Sequence, residues 1–518
     1  YSHLTGDPSS FKKAIKSEDK EKWIKAADDE LKSIESHEIW EDMFETPDSH
    51  LQTTWVSRNK PATLSAAEKK KARLCIQGFR QLPGVEYDET FAPTGRFSTF
   101  LVLLTLAIEK KLPLRQFNVK AAFLYAPLKE TIYIKTPEGS KRKAPFLKLK
   151  KSLYGLKQAP ANWFDTLTSW LKDINFIQSA SDPCLFSHKD RDSFVLFHVD
   201  DLIVAGKVDV FEDLFLLQFP NSSAHDPDTL LGMELNQDTD FVTLSQPKLI
   251  KKGLELLGME DCKPVLTPLA PGIKLLAPTE EEKKEFDKLN INYRCHTGLL
   301  NFLSCRTRPD LAPAVLMLSS FNSNPGIKHW QQILHCWKYL KGTIDMKLTL
   351  RPDSSDKNNK IKYFTDATWA DDLESRLSRS GTICFWKSCP IAWNSKKQKN
   401  VALSSTEAEL NTLSDGVQES QWITYLIEEL WKEKLKPSEF NVDNQGLIEK
   451  IKNFGSNSKT KHLDIKMKWL RELKNSNQIN VKLIPSEEMV ADALTKASNA
   501  DSLRRLQQRC FLALLSPS

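Results

Sequence analysis

Apolar positions along this chain recur either at helical spacing or in short runs of strand length bounded by Gly, Pro, Asn and Asp. From Ser17 to Glu35, Trp23, Ala27, Leu31 and Ile34 recur among charges and predict an amphipathic helix. Lys69 to Phe79 passes from a basic cluster into an apolar strand, Thr99 to Lys110 reads as a buried helix, and Leu114 to Leu124 reads as a strand entering a helical turn. The stretch Leu149 to Pro160 leads into a helix with Trp163, Leu167, Trp170 and Leu171 on one face. Phe194 to Gly206 is strand, tight turn, strand, with Asp200 and Asp201 at the tip. Gln246 to Leu257 is helical in pattern, Pro264 to Pro271 is a Pro-punctuated loop, and Thr279 to Lys288 reads as a solvated face or linker.

The last third repeats the theme of apolar runs that end in acids. Ile361 to Ala367 alternates like a strand and delivers Asp366, and two further short strands, Gly381 to Trp386 and Ile391 to Asn394, complete an antiparallel meander. A long helix follows from Ser404 to about Trp431. Ser404 with Glu407 fits a capping box, which gives Glu407 a structural role and leaves Glu409 as the candidate ligand. The two glutamates lie roughly 200° apart around a helix, so one face presents only one of them. Phe440 to Asn444 ends in Asp443, Asn480 to Ile484 is another strand, and a helix is predicted from Ala491, carrying Asp492. Four carboxylates brought together need divalent cations to offset their repulsion and desolvation.

Composition narrows the classes. At 518 residues the chain is long enough for several domains, and Lys plus Arg exceed Asp plus Glu by 73 to 67, a mild bias compatible with a polyanionic partner. The nine Cys form no C-x-x-C pair, so neither a zinc module nor a disulfide framework is suggested. The longest apolar run, Phe100 to Ile108, is far too short to span a bilayer, and no membrane partner is expected. The polar break Arg351 to Lys360 has the composition of a domain boundary.

The segments KARLCIQGF, ETFAP, FNVKAAFLYAPL, LYGLKQAP, HVDDLIVAG and LLGMEL, in this order, resemble the reverse transcriptase region of copia-type LTR retrotransposon Pol polyproteins. TRPDLAPAV, YLKGT and the RNase H pattern of carboxylates extend the resemblance from about Phe11 to Lys496. It implies an α+β multidomain chain: a right-hand polymerase with fingers, palm and thumb, a connection region, then an RNase H-like α/β domain. The expected boundaries are an N-terminal segment 1–22, fingers and palm 23–245, a thumb-like region 246–288, a connection 289–357, the RNase H-like domain 358–497 and a tail 498–518. By the same resemblance Asp200 and Asp201 hold palm metals, Arg73 clamps phosphates, Phe123 stands beneath the incoming sugar, and Tyr154 with Gly155 line the nucleotide pocket. Asp366, Glu409, Asp443 and Asp492 hold the nuclease metals, and Lys461 with His462 are either phosphate contacts or a solvated basic loop. Two Mg²⁺ ions per site, with Mn²⁺ as the substitute, are implied. The implied partners are an RNA template, a DNA primer, the RNA–DNA hybrid and dNTPs, in a cytoplasmic virus-like particle with access to the nucleus.

This chain departs from the family's pattern where it matters. Asn118 stands where the second palm Asp belongs, and a neutral amide oxygen is a poorer ligand for a hard cation. His198 replaces a usual Tyr, Ala161 and Phe100 replace usual Arg residues, and Pro485-Ser486-Glu487-Glu488 holds the place of a His-bearing loop, so no residue is assigned to proton transfer. Three readings follow: a polymerase with RNase H, a polymerase-defective chain keeping RNase H, and a non-catalytic nucleic-acid-binding remnant. The chain opens on Tyr rather than Met, which fits a fragment of a polyprotein.

Overall fold

Helix α1 (Lys20–Ser36) forms where the apolar stripe requires it, burying Trp23, Ala27 and Ile34. In this computed structural model, residues 7–8, 10–60, 68–356, 359–452 and 461–511 are described, those at 60 and 461–464 by their backbone only. Contacts group the chain into two units, one of residues 1–96 and 113–230, the other of 97–112 and 231–518. The sequence-based boundaries at 245, 288 and 357 do not coincide with this grouping, and the helix Phe97–Glu109 counts with the second unit.

In the first unit α1 packs on an antiparallel ribbon of β1 (Thr53–Lys60) and β2 (Lys69–Ile76). Ala72, Leu74 and Ile76 of β2 point into a core shared with Ala27, Ile34, Trp55, Leu147 and Leu153. Burying each large apolar side chain there contributes roughly 1.5–3 kcal/mol. The unit also holds a six-stranded antiparallel sheet around β3 (Leu114–Asn118), β4 (Phe194–His198) and β5 (Asp201–Ala205), with β5 between the other two. Helix α2 (Ala159–Asp173) starts with Pro160 in its first turn, which lacks the N–H that would be unpaired there, and buries Trp163, Leu167, Trp170 and Leu171.

In the second unit a five-stranded sheet forms from β6 (Lys362–Thr368), β7 (Arg379–Trp386), β8 (Cys389–Lys397), β9 (Ser438–Val442) and β10 (Ile479–Leu483). Its order is β8-β7-β6-β9-β10. The first three strands are the expected antiparallel meander, whereas β9 and β10 join parallel. Parallel joins need crossovers, and these are supplied by α3 (Ser405–Trp431) between β8 and β9, then α4 (Gln445–Lys452) and α5 (Lys461–Asn475) between β9 and β10.

Three expectations change in this unit. Thr279 to Lys288 is not a linker: Glu280–Asp287 is a helix with a complete capping box between Thr279 and Glu282, and it buries Phe286. The α-helix predicted from Ala491 is a 3₁₀ segment, Val490–Leu494. The tail expected from residue 498 holds α6 (Ala500–Cys510), capped by the Asn499 side chain and burying Ser502, Leu503, Leu506 and Cys510. Among the described residues, no helix is long and apolar enough to cross a membrane. The loop expected at Asn453 to Ser458 lies outside the described residues.

Two candidate carboxylate sites

The hairpin of β4 and β5 turns on Val199, which sits at φ 61°, a left-handed conformation that a β-branched side chain adopts at a cost of about 1–3 kcal/mol. Two hydrogen bonds hold it there. The Trp163 indole Nε1 donates to the Val199 carbonyl at 2.7 Å, and the Val119 N–H donates to the Asp200 carbonyl at 2.8 Å. The apolar face of α2 therefore does more than fill the core, since its first Trp pins the tip that carries both aspartates.

Asn118 and Asp201 are direct cross-strand partners, so their side chains leave the same face of the sheet. The Asn118 amide Nδ2 donates to Asp201 Oδ1 at 2.6 Å. An Asp at position 118 would place two carboxylates at this separation and demand a cation, but the amide removes that demand. Asp200 and Asp201 are both half-buried.

Three of the residues assigned to the nucleotide pocket form a stack in the first unit. The Arg73 guanidinium lies 4.7 Å from the centre of the Tyr154 ring, and Tyr154 meets Phe123 edge to face at 5.3 Å. The Arg73 Nε is buried without a hydrogen-bond partner among the described residues. Burial pushes the Tyr154 hydroxyl's pKa upward. Gly155 joins this group through its backbone: it adopts φ +93°, and a Cβ there would lie 2.1 Å from the Ile76 carbonyl oxygen. Sequence reasoning missed Glu30, whose carboxyl has its pKa raised by burial, partly offset by Lys71, Arg73 and the Leu74 N–H. Its place between Ala27 and Ile34 on the buried face of α1 was the available signal.

The second unit gathers Asp366, Glu409 and Asp443, whose nearest oxygens all lie within 4.8 Å of one another. Topology explains this. Strand β6 pairs in parallel with β9, Phe364 opposite Asn441, and the same register carried two residues further sets Asp366 beside Asp443. Helix α3 crosses behind them and presents Glu409, while Glu407 accepts from the Leu403 N–H at 2.8 Å and its own N–H donates to Ser404 Oγ at 3.2 Å. Glu407 thus caps the helix, as its position suggested, although it bonds one residue before the N-cap.

Each acid of this group is held from outside. Thr495 Oγ1 donates to Asp366 Oδ2 at 2.5 Å, the Ala367 N–H to Glu409 Oε1 at 3.1 Å, and Ser486 Oγ to Asp443 Oδ2 at 2.8 Å. Glu409 Oε2 is buried with no hydrogen-bond partner among the described residues. Burial pushes the Asp366 pKa up to about 6, with the Thr495 hydroxyl opposing and Asp492 and Asp443 adding to the rise. Burial, then Asp366 and Asp443, drive Glu409 well above the usual carboxylate range. An orphaned oxygen among three buried or half-buried acids fits a hard divalent cation, whose preferred ligands are carboxylate oxygens.

Asp492 is close enough to Asp366 to perturb it but does not join the trio. Its carboxylate is ion-paired to Lys496, accepts from Ser502 Oγ, and lies 3.5 Å from Arg505. The approach of its 3₁₀ segment depends on Gly381 of β7, where a Cβ would lie 2.9 Å from the Ala491 carbonyl oxygen. Lys461 opens α5, and the side chains of Lys461 and His462 lie outside the described residues.

Residues 38–271 match the family described as reverse transcriptase (RNA-dependent DNA polymerase). The chain is 33% identical, over 95% of its length, to the retrovirus-related Pol polyprotein from transposon TNT 1-94 of Nicotiana tabacum. It is 31% identical over 98% of its length to that from transposon RE1 of Arabidopsis thaliana, and 24% identical over 82% to the transposon Ty1-BL Gag-Pol polyprotein of Saccharomyces cerevisiae. It spans 38%, 35% and 25% of these three relatives, respectively. A foamy viral protease-reverse transcriptase, solved in complex with dsDNA, aligns with 89% of this chain and 83% of its own at 13% identity and a TM-score of 0.45. By its reverse transcriptase segment and its relatives, the chain belongs to the Pol polyproteins of copia-type retrotransposons.

Proposed function

We propose that this chain is the RNA-directed DNA polymerase and ribonuclease H portion of a copia-type element, with a nuclease site better equipped than its polymerase site. The observation that carries the reading is the convergence of Asp366, Glu409 and Asp443 at the ends of β6 and β9 and on α3. Divalent cations, Mg²⁺ with Mn²⁺ as substitute, would activate the attacking water and neutralise the leaving oxygen of a phosphodiester. The protein's part is to hold the acids. Thr495, Ser486 and the Ala367 N–H each fix one carboxylate, so little reorganisation is left for the moment of binding.

For nucleotide addition, Asp200 and Asp201 would hold the cations, Arg73 would draw the triphosphate, and Phe123 and Tyr154 would border the sugar and base. Asn118 favours a second reading, in which the polymerase is defective and only hybrid cleavage survives. The amide is already bonded to Asp201 and offers a neutral oxygen in place of an anionic one. The four nuclease acids argue against a remnant that only binds nucleic acid. On this reading the partners are an RNA template, a DNA primer, the hybrid and dNTPs, within a cytoplasmic virus-like particle with access to the nucleus.

One purified chain on a primed RNA template, scored for extension and RNA cleavage together, tests both activities. Cleavage with weak extension is the expected result. Strong extension by the unaltered chain would overturn the polymerase-defective reading, and absence of cleavage with Mg²⁺ or Mn²⁺ would overturn the nuclease.

A further inference from the structure

The family resemblance makes Asp492 a fourth ligand, but its two oxygens are already engaged from two directions. Oδ1 takes the Lys496 ammonium, and Oδ2 takes the Ser502 hydroxyl with Arg505 at 3.5 Å. The Lys496 contact is built into the backbone. The Lys496 N–H donates to the Asp492 carbonyl at 3.0 Å, one turn on, which is the spacing at which side chains four residues apart meet. The Ser502 and Arg505 contacts come from α6, whose buried Leu503 and Leu506 fix the helix in place.

We propose that Lys496 is a resident counter-cation of the nuclease site, so that free enzyme binds a single divalent ion, at Asp366, Glu409 and Asp443. This rests on the nuclease reading above and adds to it the number of ions and the residue that sets it. Charge supports the assignment. Four carboxylates against the two fixed cations Lys496 and Arg505 leave two negative charges, which one divalent ion balances. The Asp492 side chain is only 11% exposed, so an unpaired charge there would be costly, and Lys496 removes the need for a second metal ion to offset it.

The test is Mn²⁺ binding to the full chain without nucleic acid, read by calorimetry and by electron paramagnetic resonance. Asp200→Asn and Asp201→Asn are present throughout so that the hairpin contributes no site. One bound Mn²⁺ is expected for this parent, two for Lys496→Met and for the near-isosteric Lys496→Gln, and one again for Lys496→Arg. Far-ultraviolet circular dichroism confirms that each variant folds. Two ions on the parent, or one on both neutral variants, would overturn the role of Lys496 while leaving the three-acid site standing. If Asp443→Asn leaves Mn²⁺ binding to the parent unchanged, the site reading itself fails and the inference fails with it.

Discussion

The two carboxylate sites are built from similar sequence elements and differ in how tightly the surroundings commit their acids. Each places an Asp at the end of an apolar strand. At the hairpin, Asp200 and Asp201 are half-buried, their neighbour Asn118 is neutral, and the strained Val199 between the strands is the feature that protein contacts stabilise. In the second unit, Asp366 and Glu409 are almost wholly buried, each acid has an outside hydrogen-bond donor, and Glu409 Oε2 has no hydrogen-bond partner among the described residues. Burial is what separates them. Burying the Asp366 and Glu409 carboxylates disfavours their charged forms, so they either take up protons or take up a cation.

The largest effect should come from breaking the trio. Asp443→Asn is expected to reduce hybrid cleavage by roughly 100- to 1000-fold, the scale of losing a preorganised charge at a phosphodiester site. Gel analysis of a labelled RNA strand in hybrid measures it, and unchanged cleavage would mean that the acids are gathered for another reason.

The metal-free protein offers a test in stability. The Asp366 pKa lies at about 6 in the fold against an ordinary value of 3.8. A raised carboxylate pKa means that the folded state binds the extra proton, so this contribution is fully present below pH of about 3.8 and lost as pH rises through about 6. Asp366→Asn should therefore be more stable than the parent at pH 7 without metal, on the order of 3 kcal/mol, with the gap closing as pH falls toward 4. Denaturation in chelator across that range checks it, and Mn²⁺ should stabilise only the parent.

At the hairpin the expected gain is comparable or smaller. Asn118→Asp should raise Mg²⁺-dependent primer extension by roughly 10- to 100-fold, the range associated with improved metal binding, while hybrid cleavage stays constant. No gain would shift the blame to His198 or to the other departures. Smallest of all, Thr495→Val, which removes the hydroxyl from Asp366, should lower Mn²⁺ affinity about 10-fold without moving the cleavage maximum to another metal.

Much of this was legible because the signals are local. Alternation over Ile361 to Ala367 put Asp366 at a strand end, and the 3.6-residue turn with a cap at Ser404 separated Glu409 from Glu407 before any contact was known. Other features carried a signal that was read too weakly. Leu503, Leu506 and Cys510 recur at helical spacing in what looked like a tail, and Thr279 with Glu282 spells a capping box in what looked like a linker. Trp163 had the signature of a core residue, and nothing near it in sequence reveals that its indole reaches the Val199 carbonyl.

By itself the sequence determined the elements, the inventory of acids and the family, because periodicity, caps and motifs depend on residues a few positions apart. Tertiary structure decided which oxygens meet. The parallel pairing of β6 with β9 brings Asp366 to Asp443, the glycine at 381 lets the 3₁₀ segment approach, and α6 then closes over Asp492 with Ser502 and Arg505. Three acids are thereby left open to a cation and the fourth is paired. That division follows from contacts between distant segments, and residue spacing carries no information about it.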